Sequence, residues 1–524
     1  MNITLLQIDL VLGSRILLQL LREKKFNAKS LQINIKYNDS LTEEDLEIIW
    51  NYVEDSDIVG LSFNTFYAPI AKNLAIFLKK KGIRYIIVGG SHATALPEEV
   101  IQYSDIVIKY EAEKTLVNVL ESITDYKKLS LINGIVYRYN NKIFYNNHPP
   151  EIVWELDGLP FQSIDTEYIK FFDKENKLYT PEKSILFPHL KNCYFILASR
   201  GCPFSCTYCS NSLYHSINPQ FKKVRKRSIF NIIREMEYAL ENGFNSFYIA
   251  DDNFFSFDIE ELRIFKEEYL SKIKKPYSVV GINPSNFKQS SAEKKLKILL
   301  ESGLTDVRIG IQSGSDKTLK IFNRKYKTEE IPNLLSLLDR NRKTIWDPPY
   351  DKLNISLDFI CDGIWETNAD KIATIKLALK VLKQYSIFFY TLIYLPGTQI
   401  YHQAVKNKWI NNNEKDIYMR GIAGVDDNIY NRILFLIAVT KERSITLSEK
   451  LIDHILEVAK ADGDLAKEII NSIIHCINSL EKHHKVNLEH AASHPYLKGF
   501  NEWTKTTGQV GRKVLFRSYH KPYG

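Results

Sequence analysis

Cysteine is scarce in this 524-residue chain, with six in all and none before residue 193. That excludes a disulfide framework and points to a reducing compartment, the cytosol. No apolar run approaches the roughly 20 residues that a membrane span needs. The apolar start MNITLLQIDLVLGSRILLQLL has no basic opening and carries Asp9, which argues against a secretory signal. There is no internal repeat and no low-complexity segment. Charge of one sign is lacking too: 70 basic and 62 acidic residues leave +8. The densest basic stretch, FKKVRKRS from Phe221 to Ser228, reads as a solvated loop and helix start. Anion contact is its rival, and without interleaved aromatics nucleic acid ranks behind both. What is present, 44% hydrophobic and 25% charged residues, describes a soluble globular protein long enough for several cores.

Short apolar runs alternate with amphipathic ones through the first part of the chain. Residues 3–10, LQINI (31–35), DIVGLSF (57–63), YIIVGG (85–90) and DIVIKY (105–110) read as strands. Helices are expected at 15–25, 42–53, 69–81 and from Pro97. This pattern predicts a parallel, doubly wound sheet over residues 1–130. Residues 131–190 read as a hairpin turning at Asn140-Asn141, followed by an extended linker at 156–165. A second alternating block covers 191–410. Its six strands are expected at 194–199, 245–250, 276–282, 305–311, 354–360 and 387–394, with helices at 228–243, 290–303 and 366–383 between some of them. Six strand–helix units suit a partial (β/α)6 barrel, whose chemistry sits at the C-terminal strand ends. Residues 411–524 read as mainly helical, with helices at 446–459, opened by a capping box of Thr446 and Glu449, and at 465–481. The tail carries Phe500, Trp503, Arg512 and Arg517, as packing or as part of a substrate lid.

Three of the six cysteines crowd into SRGCPFSCTYCSN, as Cys202, Cys206 and Cys209. The spacing Cys-x3-Cys-x2-Cys gives one short loop three thiolates, enough for three corners of a cubane iron–sulfur cluster. The fourth iron then stays open to chelate a small molecule and pass it an electron. Structural zinc is the rival, with His215 as the nearest fourth ligand, but no second Cys-x-x-Cys pair exists. Cys193, Cys361 and Cys476 stand alone and read as ordinary buried thiols.

The stretch Cys-Pro-Phe-Ser-Cys-Thr-Tyr-Cys, with Tyr208 before the third cysteine, resembles the signature of radical S-adenosylmethionine (SAM) enzymes. The resemblance covers about 193–410 and includes YIADDNFF, RIGIQSGSD and LIYLPGTQIY. It implies a 4Fe-4S cluster on the three cysteines. It also implies SAM contacts from Tyr208, from Asp251, Asp252 and Asn253, and from Gln312, Ser313 and Ser315. On that basis Asp252, Gln312 and Ser315 are expected to serve SAM rather than the fold. VGGSHATALPEE, after DIVGLSFNTFYAPIAKNLAIFLK, resembles the cobalamin-binding domain often fused before such a barrel. It implies a Rossmann-like fold with cobalamin contacts at Ser62, Thr65, Gly89, Gly90 and His92. Two departures stand out. IDLVLGSR has Asp9 and Gly13 but lacks the early histidine that ligates cobalt in many such proteins, so His92 is expected to line the cofactor's edge. In KYEAEKTL, Tyr110 and Ala112 replace the glycines that usually flank an acidic pair.

The resemblance implies a cobalamin-dependent radical SAM enzyme, in the first place a methyltransferase acting on an unactivated carbon through a 5′-deoxyadenosyl radical and methylcobalamin. The alternatives are a cyclase or rearrangement enzyme with the same cofactors, and a cofactor-based sensor. The substrate is expected to be a small molecule or a peptide, and the reductant a flavodoxin or ferredoxin.

Overall fold

A computed structural model describes every residue except 10, 37–38, 188–189, 382–384, 419–424, 443–444, 446 and 484–524. The tail residues singled out above, and Thr446, lie outside the described residues. The fold is mixed α/β with parallel sheets. The chain divides into two compact units, Met1–Phe247 with Tyr394–Arg420, and Tyr248–Ile393 with Gly421–Gly524.

The first unit is built on nine strands: β1 (Asn2–Ile8), β2 (Asn27–Asn34), β3 (Ile58–Ser62), β4 (Tyr85–Gly89), β5 (Ile106–Ile108), β6 (Ile135–Tyr139), β7 (Lys142–Asn146), β8 (Ile169–Asp173) and β9 (Lys177–Tyr179). They lie in the order β7-β6-β5-β4-β3-β1-β2-β8-β9. The strands from β5 to β8 are parallel. The order reverses at β1, which pairs with both β2 and β3. Runs such as Ile86–Val88 and Ile106–Ile108 are buried throughout, as strands covered on both faces must be. Local chemistry sets the helix ends. Thr42 and Asp45 form a reciprocal capping box ahead of Glu43–Val53, and Gly82, at φ +106°, stops Ala68–Lys81.

The expected hairpin forms at β6 and β7, with Asn140 and Asn141 both at positive φ, as a two-residue turn of this hand requires. It pairs antiparallel with β5. A second hairpin, β8–β9, extends the other edge beside β2. The sequence reading missed it, because a five-residue strand and a three-residue strand carry too little alternation to register.

In the second unit, the strands Tyr277–Ile282, Leu304–Gln312, Asn354–Cys361 and Ser386–Thr391 pair in chain order, all parallel. Helices Ile259–Lys272, Ala292–Ser302 and Asn368–Lys380 alternate with them. The second of these stops at Gly303, at φ +112°. The third opens on a capping box of Thr367 and Asp370. Three helices follow, Ile429–Glu442, Glu449–Ala461 and Gly463–His483. The N-cap of Glu449–Ala461 is Ser448, whose side chain accepts from the Leu451 amide.

Candidate active site around the cysteine loop

The cysteine loop follows a short strand. Ser199–Arg200 pairs antiparallel with Arg225–Lys226, so the basic stretch read as a solvated loop is in part a buried strand. Lys222 and Lys223 are exposed as expected, but Arg225 is buried. The loop opens at Gly201, at φ +94°, where a Cβ would fall 2.6 Å from the Lys223 carbonyl oxygen and 2.9 Å from that of Phe221. No larger residue fits there. Cys202 and Cys206 are buried and Cys209 is partly exposed. The Cys209 amide donates to the Cys206 carbonyl, 3.1 Å, and the helix Ser210–Ile217 begins directly after it.

The turn after Pro396 holds the loop from its other side. The Ile400 amide donates to the Thr207 carbonyl, 3.1 Å. Gly397, at φ +78°, packs so close to Leu213 that a Cβ would meet its Cδ1 at 2.8 Å. Among the described residues no three His, Cys, Asp or Glu side chains form a ligand set for a single metal ion. Cys193 and Cys361 are buried singly, and burial pushes the Cys361 thiol well above its ordinary range.

In the second unit the strand-end residues divide into two kinds. Asp251 and Asn253 are buried and Asp252 is exposed. Among the described residues the Asn253 Oδ1 finds no hydrogen-bond partner, which at such depth is costly unless a ligand supplies a donor. Gln312, at φ +72°, sits where the pairing with Asn354–Cys361 slips register. Its amide folds so closely over Gly310 that a Cβ there would lie 2.1 Å from Nε2.

Ser313 and Ser315, by contrast, are engaged by hydrogen bonds within the fold. Ser315 caps Asp316–Ile321 and donates to Asp370 Oδ1, 2.6 Å. Ser313 Oγ accepts from the Ser315 amide, 3.1 Å, and meets the Thr374 hydroxyl at 3.3 Å. Three adjacent strands also bring together Arg308, Asp358 and Tyr390. The Arg308 guanidinium holds Asp358 through Nε, 2.7 Å, and Nη2, 2.8 Å, and also donates to the Tyr390 hydroxyl. Sequence reasoning missed this group, since its members are 50 and 82 positions apart.

At the end of the first sheet, Ser62 closes β3 and Gly89 closes β4, with Gly90 next to it. Gly90, at φ +103°, lies against Phe63 and Ser62, where a Cβ would be 2.9 Å from the Phe63 carbonyl oxygen. Strand ends beside an order reversal form the crevice where sheets of this kind bind ligands. Thr65 is buried behind them, its Oγ1 3.4 Å from His92 Nδ1. His92 is fully enclosed. Phe63 and Tyr418 cover its ring at centroid distances of 5.6 and 5.5 Å, and Glu99 Oε1 lies 3.8 Å from its Nε2.

The family model for the radical SAM superfamily matches residues 196–348, from the strand before the cysteine loop to beyond Ser315. Residues 196–348 thus carry a radical SAM domain. It is 25% identical over 365 residues to an uncharacterized methyltransferase of Pyrococcus horikoshii, over 67% of this chain and 70% of that protein. It is 23% identical over 462 residues to the bacteriochlorophyllide d C-8(2)-methyltransferase of Chlorobaculum tepidum, over 83% and 88%. Among solved structures its fold resembles that of the cobalamin-dependent SAM radical enzyme OxsB with aqua-cobalamin bound, at TM-score 0.59 and 15% identity, over 98% of this chain and 80% of that one. A radical SAM domain implies a 4Fe-4S cluster and SAM. No helix among the described residues is long and apolar enough to cross a membrane.

Proposed function

We propose that this radical SAM enzyme is a cobalamin-dependent methyltransferase that places a methyl group on an unactivated carbon of a small-molecule or peptide substrate. In this reading residues 1–130 are a Rossmann-like cobalamin-binding domain, 191–410 a partial (β/α)6 barrel and 411–524 a helical domain. One observation carries it. A parallel sheet with an order reversal and a glycine-lined ligand end occurs in the same chain as a three-thiol radical SAM loop. A radical SAM domain on its own suffices for hydrogen abstraction, so a fused corrinoid site has a separate purpose, and methyl delivery is the most direct one.

The residues present fit these groups. Cys202, Cys206 and Cys209 would hold three corners of the cluster, leaving one iron open to SAM. Tyr208, Asp251, Asp252, Asn253 and Gln312 would line the SAM site, with the Asn253 Oδ1 accepting a donor from it. Ser313 and Ser315 would shape that site through the turn they hold. Ser62, Thr65 and Gly90 would let the backbone approach cobalamin closely, with Gly89 continuing the same edge and His92 supporting Thr65 from behind. When bound, the cluster supplies an electron, SAM the radical precursor and cobalamin the methyl carrier. The chain's own residues bind and orient these groups and exclude water around them. A flavodoxin or ferredoxin would serve as reductant.

The test is anaerobic reconstitution of the full chain with iron, sulfide, cobalamin, reductant and SAM bearing a deuterated methyl group. About four irons per chain are expected. They should be lost when Cys202, Cys206 and Cys209 are all replaced by alanine, and kept in Cys193→Ala and Cys361→Ala. Turnover should yield 5′-deoxyadenosine, S-adenosylhomocysteine and a product carrying the label. An unlabelled product without S-adenosylhomocysteine would replace this reading with a cyclase or rearrangement enzyme.

A further inference from the structure

Arg200 stands two residues before Cys202, and Arg225 lies directly opposite it across an antiparallel pair. Two like charges so placed repel, and both side chains are largely buried, at 17% and 3% exposure. The turn after β5 neutralises them. Glu111 grips Arg225 with both oxygens, 2.7 and 2.8 Å, and its Oε1 lies 3.5 Å from Arg200 Nη1. Glu113 Oε1 accepts from Arg200 Nη2 at 2.6 Å. Arg225 Nη1 also donates to the Val153 carbonyl, 2.8 Å, and the Val153 amide donates back to Glu111, 3.3 Å. The four charges cancel.

The same turn reaches the ligand end of the sheet. Tyr110, at φ +67°, donates its amide to Thr94 Oγ1, 2.8 Å, and Thr94 donates to the Gly90 carbonyl, 2.9 Å. The Tyr110 ring stacks on Phe221 at 5.8 Å and meets Tyr214 edge-on at 6.3 Å. Burial alone would raise the Glu111 carboxyl, but Arg225 and Arg200 hold it below its ordinary range.

A buried ion-pair network returns little net stability, because desolvation offsets its Coulomb gain. What such a network does supply is a single geometry, since a two-pronged arginine–carboxylate pair accepts only one arrangement. We infer that Glu111 and Glu113 are positioning residues, which clamp Arg200 and Arg225 so that the start of the cysteine loop is held at fixed distance and angle from the Gly90 end of the first sheet. In a reaction that uses a cluster and a second cofactor, that spacing sets how the two address one substrate. The inference rests on the reading of the three cysteines as cluster ligands and of the first sheet as the cobalamin carrier.

The test uses the full-length reconstituted protein and two variants, Glu113→Gln and Arg200→Lys. The lysine keeps the charge but loses the planar fork, so the test survives if Glu113→Gln fails to fold. Asp45→Asn is the control. It removes a buried carboxylate that Lys174 and Lys177 pair with elsewhere in the same unit.

The readouts are iron content, thermal midpoint, and the electron paramagnetic resonance spectrum of the reduced cluster before and after SAM. Both variants should load iron as the parent does. Their spectra with SAM should change, and kcat for 5′-deoxyadenosine formation should fall at least about tenfold, the scale of a sub-ångström to ångström misplacement. Asp45→Asn should lose thermal stability but keep the parent spectrum and rate. Parent-like spectra and rates in both variants would overturn the clamp. A parent protein that takes up no iron would instead overturn the reading beneath it, before any variant is compared.

Discussion

Gly281 lies so close beneath the Asp251 turn that a Cβ on it would fall 2.1 Å from the Asp251 carbonyl oxygen and 3.0 Å from that of Asp252. The glycine also sits at φ +76°, a conformation other residues adopt at a cost. One strand thus fixes the turn that ends with the buried Asn253. Gly281→Ala should push that turn out of place. We expect SAM affinity to fall about tenfold or more by isothermal titration, with iron content retained because the cysteines lie elsewhere. Unchanged SAM affinity would detach the Asp251–Asn253 turn from the cosubstrate site.

Ser315 and Asn253 make a contrasting pair. The Ser315 hydroxyl is spent on a helix cap and on Asp370, and its link to Asp370 helps hold that carboxyl below its ordinary range, although burial acts the other way. Ser315→Ala should therefore cost about 1–2 kcal/mol. Differential scanning calorimetry should read this as a midpoint lowered by a few degrees. Asn253→Ala removes a buried acceptor that has no hydrogen-bond partner among the described residues, so it should leave the midpoint unchanged or raised while SAM cleavage falls. The opposite pattern would assign Asn253 to the fold.

Glu366 titrates in an unusual place. Burial pushes its carboxyl from 4.5 up to about 7, although the Gly363 amide donates to it at 3.1 Å and the Thr318 hydroxyl at 3.3 Å. A carboxyl whose folded value is raised favours the folded state most while protonated. Its contribution is complete below pH 4.5 and is lost as pH rises through about 7. Glu366→Gln fixes the neutral form. The variant should match the parent near pH 5 and exceed it by about 2–3 kcal/mol at pH 8, seen as a higher melting midpoint. Equal midpoints at pH 8 would place the Glu366 titration in the ordinary carboxylate range.

The parts of this site legible in the sequence are those whose partners are close in the chain. The spacing of Cys202, Cys206 and Cys209 is itself the ligand set, and Val88-Gly89-Gly90 closes a run that is buried wherever it lies. Glu111 and Arg225 are 114 positions apart, and nothing local marks either as a partner of the other. The basic run at 221–228 therefore reads as solvent-facing, whereas the pairing of Arg200 with Arg225 places Arg225 inside. Ser315 is ambiguous for the opposite reason. A serine after a strand looks the same whether it meets a ligand or caps a helix, and only Asp370, 55 positions on, distinguishes the two. The Arg308–Asp358–Tyr390 group needed the parallel register of three strands before it existed at all.

His92 is the residue on which the cobalamin reading is most exposed to test. It follows Gly90 closely enough to suggest contact with the cofactor, yet it is fully buried. Phe63 and Tyr418 close over its ring, Thr65 faces its Nδ1, and Tyr418 in turn donates to Glu99 Oε2 at 3.0 Å. A cobalt ligand needs an open nitrogen pointing at the metal, and here Nε2 faces Glu99. His92→Ala should therefore destabilise the first unit through the cavity it leaves, by about 2 kcal/mol or more, while cobalamin stays bound. The electron paramagnetic resonance spectrum of the cob(II)alamin form should be the same in parent and variant, without nitrogen splitting from the protein. A splitting present in the parent and lost in His92→Ala would make the histidine a ligand, and would mean that Tyr418 and Glu99 move aside when cobalamin binds.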